Sequence, residues 1–210
     1  MTQQEDLWKG EFGNSYQDRN EITEEDIKNR QRHWNDLLQV IYGVTGYLPQ
    51  SILEIGAGQG PNMLALEKLS LQIQKPIKLY ATEINQKARI KLSENVKTLE
   101  ILDQIPNEPI ADLVFTYGVM IHTHPAHLRE LMSIMHKASK RFLLCSEYFA
   151  SITTPKTYRG EKDALWLDDY GSHFLNHFRL RLVGCSFSWK RITGLDNVTN
   201  WVFEKTEKMQ

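Results

Sequence analysis

Three glycines within five residues, Gly56-Ala57-Gly58-Gln59-Gly60, follow the apolar run Ser51-Ile52-Leu53-Glu54-Ile55 and precede Pro61 and a helical pattern. Glycine lets a backbone turn with positive φ and lets a ligand approach the main chain without a Cβ in the way. A strand, a glycine loop and a helix in that order are the opening unit of an open α/β sheet. Ligands of such sheets bind at the carboxyl ends of the strands, and a plain turn rarely needs so many glycines. The spacing here is G-x-G-x-G, whereas dinucleotide sites use G-x-G-x-x-G with the pyrophosphate on the helix N-terminus. Pro61 removes one amide donor that a diphosphate would use, and the G-K-[ST] ending of a phosphate loop is absent. A ligand without phosphates fits better. The next strand ends Tyr80-Ala81-Thr82-Glu83, which places a carboxylate across from the loop, where it can accept both hydroxyls of a ribose.

The rest of the chain alternates in the same way. Thr23 followed by acids starts a helix over 24–43, with Ile27, Trp34, Leu37, Leu38, Ile41 and Tyr42 at helical spacing. Strands are expected at 51–55, 77–82, 97–102, 111–118 and 141–145. Helices are expected over 61–73, from the Asn85 cap to 95, and from Pro125 onward. Residues 148–168 lack periodicity and read as an inserted loop; a short helix near 169–177 follows. The strands 180–189 and 199–204 are joined by too few residues for a helical crossover, so they are expected to be antiparallel. The fold class is therefore α/β, a doubly wound sheet of mostly parallel strands covered on both faces.

Composition narrows the function classes. The chain has 210 residues, 41% hydrophobic and 24% charged, with a net charge of -1. That suits one folded domain and excludes intrinsic disorder. No basic stripe points to nucleic acid and no polybasic tail to a membrane surface. No apolar run approaches the ~18 residues of a membrane span. The N-terminus is polar and acidic, unlike a signal peptide. Cys145 and Cys185 each sit in an apolar run and read as buried thiols of a reducing compartment; a cytoplasmic location is expected. His122, His124 and His127 cluster, but without a Cys pair or an acid at ligand spacing, so no metal is expected.

Glu54-Ile55-Gly56-Ala57-Gly58-Gln59-Gly60, Glu83, Asp112-Leu113-Val114-Phe115 and the terminal strand pair together resemble class I S-adenosylmethionine-dependent methyltransferases. A closer likeness, to the pseudaminic acid biosynthesis-associated methylases, lies in four stretches. They are Trp8 to Tyr16 with Arg19-Asn20, Gly118-Val119-Met120-Ile121-His122, Tyr158-Arg159-Gly160, and Trp189-Lys190-Arg191 with Asp196-Asn197-Val198-Thr199. The resemblance implies a Rossmann-like seven-stranded sheet with the last strand antiparallel. It divides the chain into an N-terminal helical cap at 1–46 and a cofactor-binding domain at 47–210. It implies S-adenosyl-L-methionine as cofactor, lying over Gly56, Ala57, Gly58 and Gly60, with Glu83 on the ribose and Ile84 on the adenine. An acid after the third strand would receive the adenine amino group; counting back from Asp112 gives Glu100, followed by Ile101, with Asp103 the other candidate. Tyr117 and Gly118 would offer backbone carbonyls.

The N-terminal aromatic segment can fold over the cofactor, with Tyr16 packing on it and Arg19 pairing with its carboxylate, or can pack outside the sheet. His122, just past the fourth strand, is the candidate base or substrate-positioner; otherwise it bonds a nearby loop. His124 is expected to cap the following helix, and His173 is a weaker rival for the base. Tyr158, Arg159 and Trp166 are candidate substrate contacts, because loops at the carboxyl edge carry specificity. The expected activity is methyl transfer to a small molecule, a sugar, sugar nucleotide or sugar acid. The alternatives are a protein side-chain methyltransferase, a binding protein without catalysis and a nicotinamide-dependent oxidoreductase.

Overall fold

A computed structural model describes residues 2–206. Seven strands form one sheet in the order β3-β2-β1-β4-β5-β9-β8. β1 is Ser51–Ile55, β2 Lys78–Thr82, β3 Leu99–Leu102, β4 Ala111–Tyr117 and β5 Ser139–Glu147. All four pairings among these five are parallel. β9 (Val198–Lys205) enters antiparallel beside β5, and β8 (Leu180–Ser188) pairs antiparallel on its other side. The order reverses at β1 and β4, so the crevice of the fold opens at their carboxyl ends. Every residue of β1 is buried, as expected for a strand covered on both faces.

α3 (Glu24–Thr45) and α4 (Pro61–Gln72) cover one face. The Thr23 hydroxyl caps α3 on Asp26 N–H at 3.1 Å, and Gly46 ends the helix in the left-handed region. Its Ile27, Trp34, Leu37, Leu38 and Ile41 are buried, and Trp34 meets Phe115 edge-on at 4.5 Å. Tyr42, expected on the same stripe, is 54% exposed, whereas Ile41 beside it is fully buried. α5 (Gln86–Asn95) follows β2, and α6 (Pro125–Ala138) and α7 (Tyr170–His177) cover the other face with Leu128, Met132, Met135 and Phe174. Residues 1–46 thus divide: α3 is a layer of the core, whereas α1 (Gln3–Lys9) and α2 (Glu11–Arg19) lie across the carboxyl edge.

Two expectations are corrected here. The stretch read as an inserted loop holds a hairpin, β6 (Thr154–Tyr158) and β7 (Glu161–Leu167), turning through Arg159 and Gly160, both with positive φ. Two consecutive positive-φ residues match a two-residue hairpin turn to the strand twist. Cys145 is buried, but Cys185 is exposed, because it lies on the edge strand β8 where the sheet's outer face is bare.

Candidate functional site

The glycine loop turns through positive φ at Gly56 (72°), Gly58 (58°) and Gly60 (84°). Gly56 and Ala57 N–H both donate to the Thr82 carbonyl, at 2.8 and 3.1 Å, which ties the loop to the end of β2. A Cβ on Gly56 would strike Val119 at 2.7 Å, and one on Gly60 would strike Leu92 at 2.3 Å. Gly58 differs: a Cβ there would meet nothing within 4 Å, so its bare backbone faces open space.

Glu83 lies against that loop. Gly58 N–H donates to its Oε2 and Asn85 N–H to its Oε1, both at 2.7 Å. Burial raises its pKa above the ordinary carboxylate value, and the N–H groups of Asn85, Gly58 and Ile84 and the charge of Arg89 act against that rise. Ile84, next along the chain, is 45% exposed at the rim. The two candidate acids of β3 lie in different places. Glu100 pairs in register with Tyr80, mid-strand, and its side chain meets Lys78 at 3.3 Å. Ile101 packs into the core beneath. The residue that reaches the edge is Asp103, exposed and bonded to Arg89 Nη2 at 2.9 Å.

Inside the loop lies a polar cluster that sequence reasoning missed. Glu54 is fully buried; its Oε1 accepts from Asn62 Nδ2 at 2.7 Å, while Oε2 has no partner. Desolvation pushes its pKa up to about 8. Arg30 donates from Nη1 to Asn62 Oδ1 at 2.8 Å and from Nε to both Asp26 oxygens at 3.2 Å. Its guanidinium lies 5.1 Å above the Tyr117 ring. The Tyr117 hydroxyl and His33 Nε2 are also buried without partners, and burial pushes the His33 pKa down to about 4. Unpaired buried polar atoms are costly, so their gathering beside a glycine loop marks a place for a polar ligand. Arg19, by contrast, ends α2 on the exposed surface. A carboxylate partner is better sought in Arg30, whose signal was only its place on the first turns of an amphipathic helix.

At the end of β4, Gly118 takes positive φ and a 3-10 turn follows over Met120–His122. His122 Nδ1 lies 2.7 Å from the Ala164 carbonyl of β7. A carbonyl only accepts, so Nδ1 carries the proton and Nε2 is left as an acceptor. The ring sits between Trp8 (4.6 Å) and Tyr158 (5.0 Å), and desolvation lowers its pKa to about 4. Trp8 also meets Phe12 and Tyr16 edge-on, each at 5.3 Å. α1 and α2 are held over the edge by Gln59 Nε2 on the Gln17 carbonyl (2.6 Å), by Asn85 Nδ2 on the Trp8 carbonyl (3.0 Å) and by Lys87 on Asp18 (2.6 Å). Arg159 is exposed at the hairpin tip, its guanidinium 5.7 Å from the Tyr158 ring centroid. His124 caps α6, accepting from Ala126 N–H at 3.1 Å. His173 faces Asp168 at 3.2 Å.

Among the described residues no group of three or more His, Cys, Asp or Glu could hold a metal ion, and no helix is long and apolar enough to cross a membrane. A recess of about 440 Å³ between Tyr42, Tyr47, Gln50, Lys75 and Pro76 lies at the amino ends of the strands. No acid or histidine lines it, so it offers no comparable chemistry.

No family model matches the chain, and no curated protein matches it in sequence. Solved structures match its fold. One is magnesium protoporphyrin IX methyltransferase from Synechocystis PCC 6803 with bound SAH, at TM-score 0.64 and 17% identity, covering 96% of this chain and 98% of that one. A second is 1,6-didemethyltoxoflavin-N1-methyltransferase from Burkholderia thailandensis with its substrate and S-adenosylhomocysteine. It has TM-score 0.68 and 14% identity and covers 96% and 88% of the two chains. A third, a SAM-dependent methyltransferase from Leishmania major, has TM-score 0.67 and 14% identity over 97% and 87%. The chain therefore has the Rossmann-like methyltransferase fold, with a seven-stranded sheet whose last strand is antiparallel.

Proposed function

We propose that this protein is a methyltransferase that uses S-adenosyl-L-methionine to methylate a small molecule. The observation that carries the reading is the pair of 2.7 Å bonds by which Gly58 and Asn85 N–H orient Glu83 at the rim of the glycine loop. A carboxylate has about four acceptor positions, so beyond these two close bonds capacity stays available to the vicinal hydroxyls of a ribose. The remaining features fit the same group. Open space above Gly58 admits it, Ile84 offers an apolar surface to a purine, and the unpartnered Glu54 Oε2 suits an ammonium, whose charge favours the ionised carboxylate that burial alone disfavours. The Arg30 fork and the Tyr117 hydroxyl suit a carboxylate.

The cofactor, when bound, supplies a methyl group on a sulfonium already activated for in-line displacement. What is left to the protein is alignment and exclusion of water, and alignment alone is worth up to ~7–11 kcal/mol. Trp8, Phe12, Tyr16 and Tyr158 wall the space beside His122 and keep water out. His122 stays neutral at pH 7 and is a weak base. Its role is to hold an acceptor O–H or N–H on Nε2 rather than to carry a proton away. Entry of either substrate requires the bonds of α1 and α2 to Gln59, Asn85 and Lys87 to open.

The acceptor we assign to the sugar class: a sugar, sugar nucleotide or sugar acid of bacterial surface-glycan synthesis, handled in the cytoplasm, with Tyr158 and Arg159 as contacts. Support comes from where the four stretches that resemble the pseudaminic acid methylases lie. Trp8 touches His122, and His122 touches Tyr158. The charge of Asp196 reaches the phenols of Tyr16 and Tyr117 and helps raise their pKa values behind burial. Segments far apart in sequence thus share one rim.

Calorimetry with S-adenosylmethionine and with NAD tests the cofactor; binding of the first alone is expected, and binding of NAD alone would overturn the reading. Release of S-adenosylhomocysteine in the presence of a panel of nucleotide sugars and nonulosonic acids tests the acceptor. Cofactor binding without release from any of them would remove the sugar assignment.

A further inference from the structure

The buried carboxylate of Glu147 plays no part in the site described above. It is the last residue of β5 and is 0% exposed. Its Oε1 accepts from Val119 N–H and Met120 N–H, both at 3.2 Å, and its Oε2 from Ile121 N–H at 3.3 Å. The Thr116 hydroxyl on β4 lies near enough to favour the anion but makes no well-formed bond. Among the described residues the other ionisable groups around it are Cys145 on its own strand, Tyr148 just past the strand and Tyr170 on α7, whose pKa values burial raises and its charge raises further. No cation is among them. Burying a carboxylate without a counter-ion costs several kcal/mol, and what offsets that cost here is three amide donors of a single turn.

That turn touches both halves of the site. Its first residue, Val119, packs against Gly56 so closely that no Cβ fits there. Its last, His122, is bonded to β7 and packs against Trp8 with the rings tilted at 58°. Gly118 N–H is tied separately to the Ser146 carbonyl at 3.0 Å, so β4 and β5 stay joined whatever the carboxylate does. An apolar side chain at 147 would fill the same volume and leave three N–H groups unpaired. We propose that Glu147 is a positioning residue: by holding the N–H groups of Val119, Met120 and Ile121 it sets the distance between the glycine loop and the His122 ring. The inference rests on the methyltransferase reading only in calling that ring part of the site.

The test is Glu147→Gln in the full chain, read by ¹⁵N shifts of the His122 imidazole. Gln offers one carbonyl oxygen and turns an NH₂ toward donors, so the turn loses at least one bond. In the unaltered protein His122 is expected as a single Nδ1–H form that titrates near 4. In the variant both tautomers are expected, and the midpoint climbs at least tenfold in proton affinity toward the ordinary histidine value. A folded variant with unchanged His122 shifts and midpoint would overturn the proposal. Should the variant not fold, amide exchange in the unaltered protein decides. Protection of Val119, Met120 and Ile121 equal to that of β4 supports the clamp, and exchange at the rate of an open turn overturns it. Neither readout uses cofactor, so failure of S-adenosylmethionine to bind would remove the proposed function and leave this inference standing or falling on its own.

Discussion

Glu83 and Glu147 are the same device at two ends of one crevice. Each is an acid at or just past the end of a parallel strand, and each accepts backbone N–H groups from a neighbouring loop. They differ in what is left over. Glu83 has two close amide donors, with Ile84 N–H acting more weakly, and stands at a rim only partly covered, so acceptor capacity remains for a ligand. Glu147 has three, and no surface. A strand-end carboxylate that is still reachable is equipped to bind; one that is sealed is equipped to hold the scaffold. The residue type is identical and the topology decides.

The largest expected effect breaks the comparison on its open side. Charge-assisted hydrogen bonds contribute about 1.5–3 kcal/mol each, so losing two to a ribose weakens binding about 100-fold or more. Glu83→Ala is therefore expected to lower affinity for S-adenosylhomocysteine by that factor, measured by calorimetry, whereas Glu147→Gln lowers it less than tenfold. Gly58→Ala is next. A side chain at positive φ costs about 1–2 kcal/mol, and its Cβ projects into the open space above the loop; about a tenfold loss of affinity is expected, again by calorimetry.

A third prediction concerns pH. Glu54 and Glu147 have folded pKa values raised to about 8 and about 7. Between the unfolded carboxylate value and those pKa values, the folded state holds protons that the unfolded state has released, so stability falls as pH rises. His33 and His122, lowered to about 4, act in the opposite sense between 4 and 6.5. The two trends oppose each other in that interval, and above it only the acids count. Denaturant titrations are expected to show stability falling from pH 6.5 to 8, with Glu54→Gln removing most of the fall above pH 7. A stability that rises across that window would mean Glu54 is ionised in the fold. The smallest effect sharpens the pairing at the N-terminus: Arg30→Lys, which loses the fork over Tyr117, weakens cofactor binding several-fold, and Arg19→Ala changes it less than twofold.

The glycine loop, Glu83 and the antiparallel end of the sheet were legible because each is written in contiguous residues. Turn glycines, an acid at a strand end and a connection too short for a helix need no knowledge of distant contacts. The hairpin at 154–167 was not, since Pro155 and three polar positions hide the alternation, though Arg159-Gly160 between two β-prone runs was a usable turn signal. The choice between Glu100 and Asp103 stayed open because counting from Asp112 ignores register. Strand β3 ends at Leu102, and only pairing with Thr82 reveals that Asp103 faces the edge. Glu147 and Arg30 were invisible for a common reason. In sequence the one is an acid after an apolar run and the other a charge on a helix, and their partners lie 26 to 32 residues away.

Crystals grown with S-adenosylhomocysteine show whether Glu83 holds a ribose. Adenosine is expected over Gly58 with its ribose hydroxyls within hydrogen-bond reach of both Glu83 oxygens, and α1–α2 closed above it. A ligand seated elsewhere, or a glycine loop still packed against Glu83 with no adenosine in reach, would contradict it.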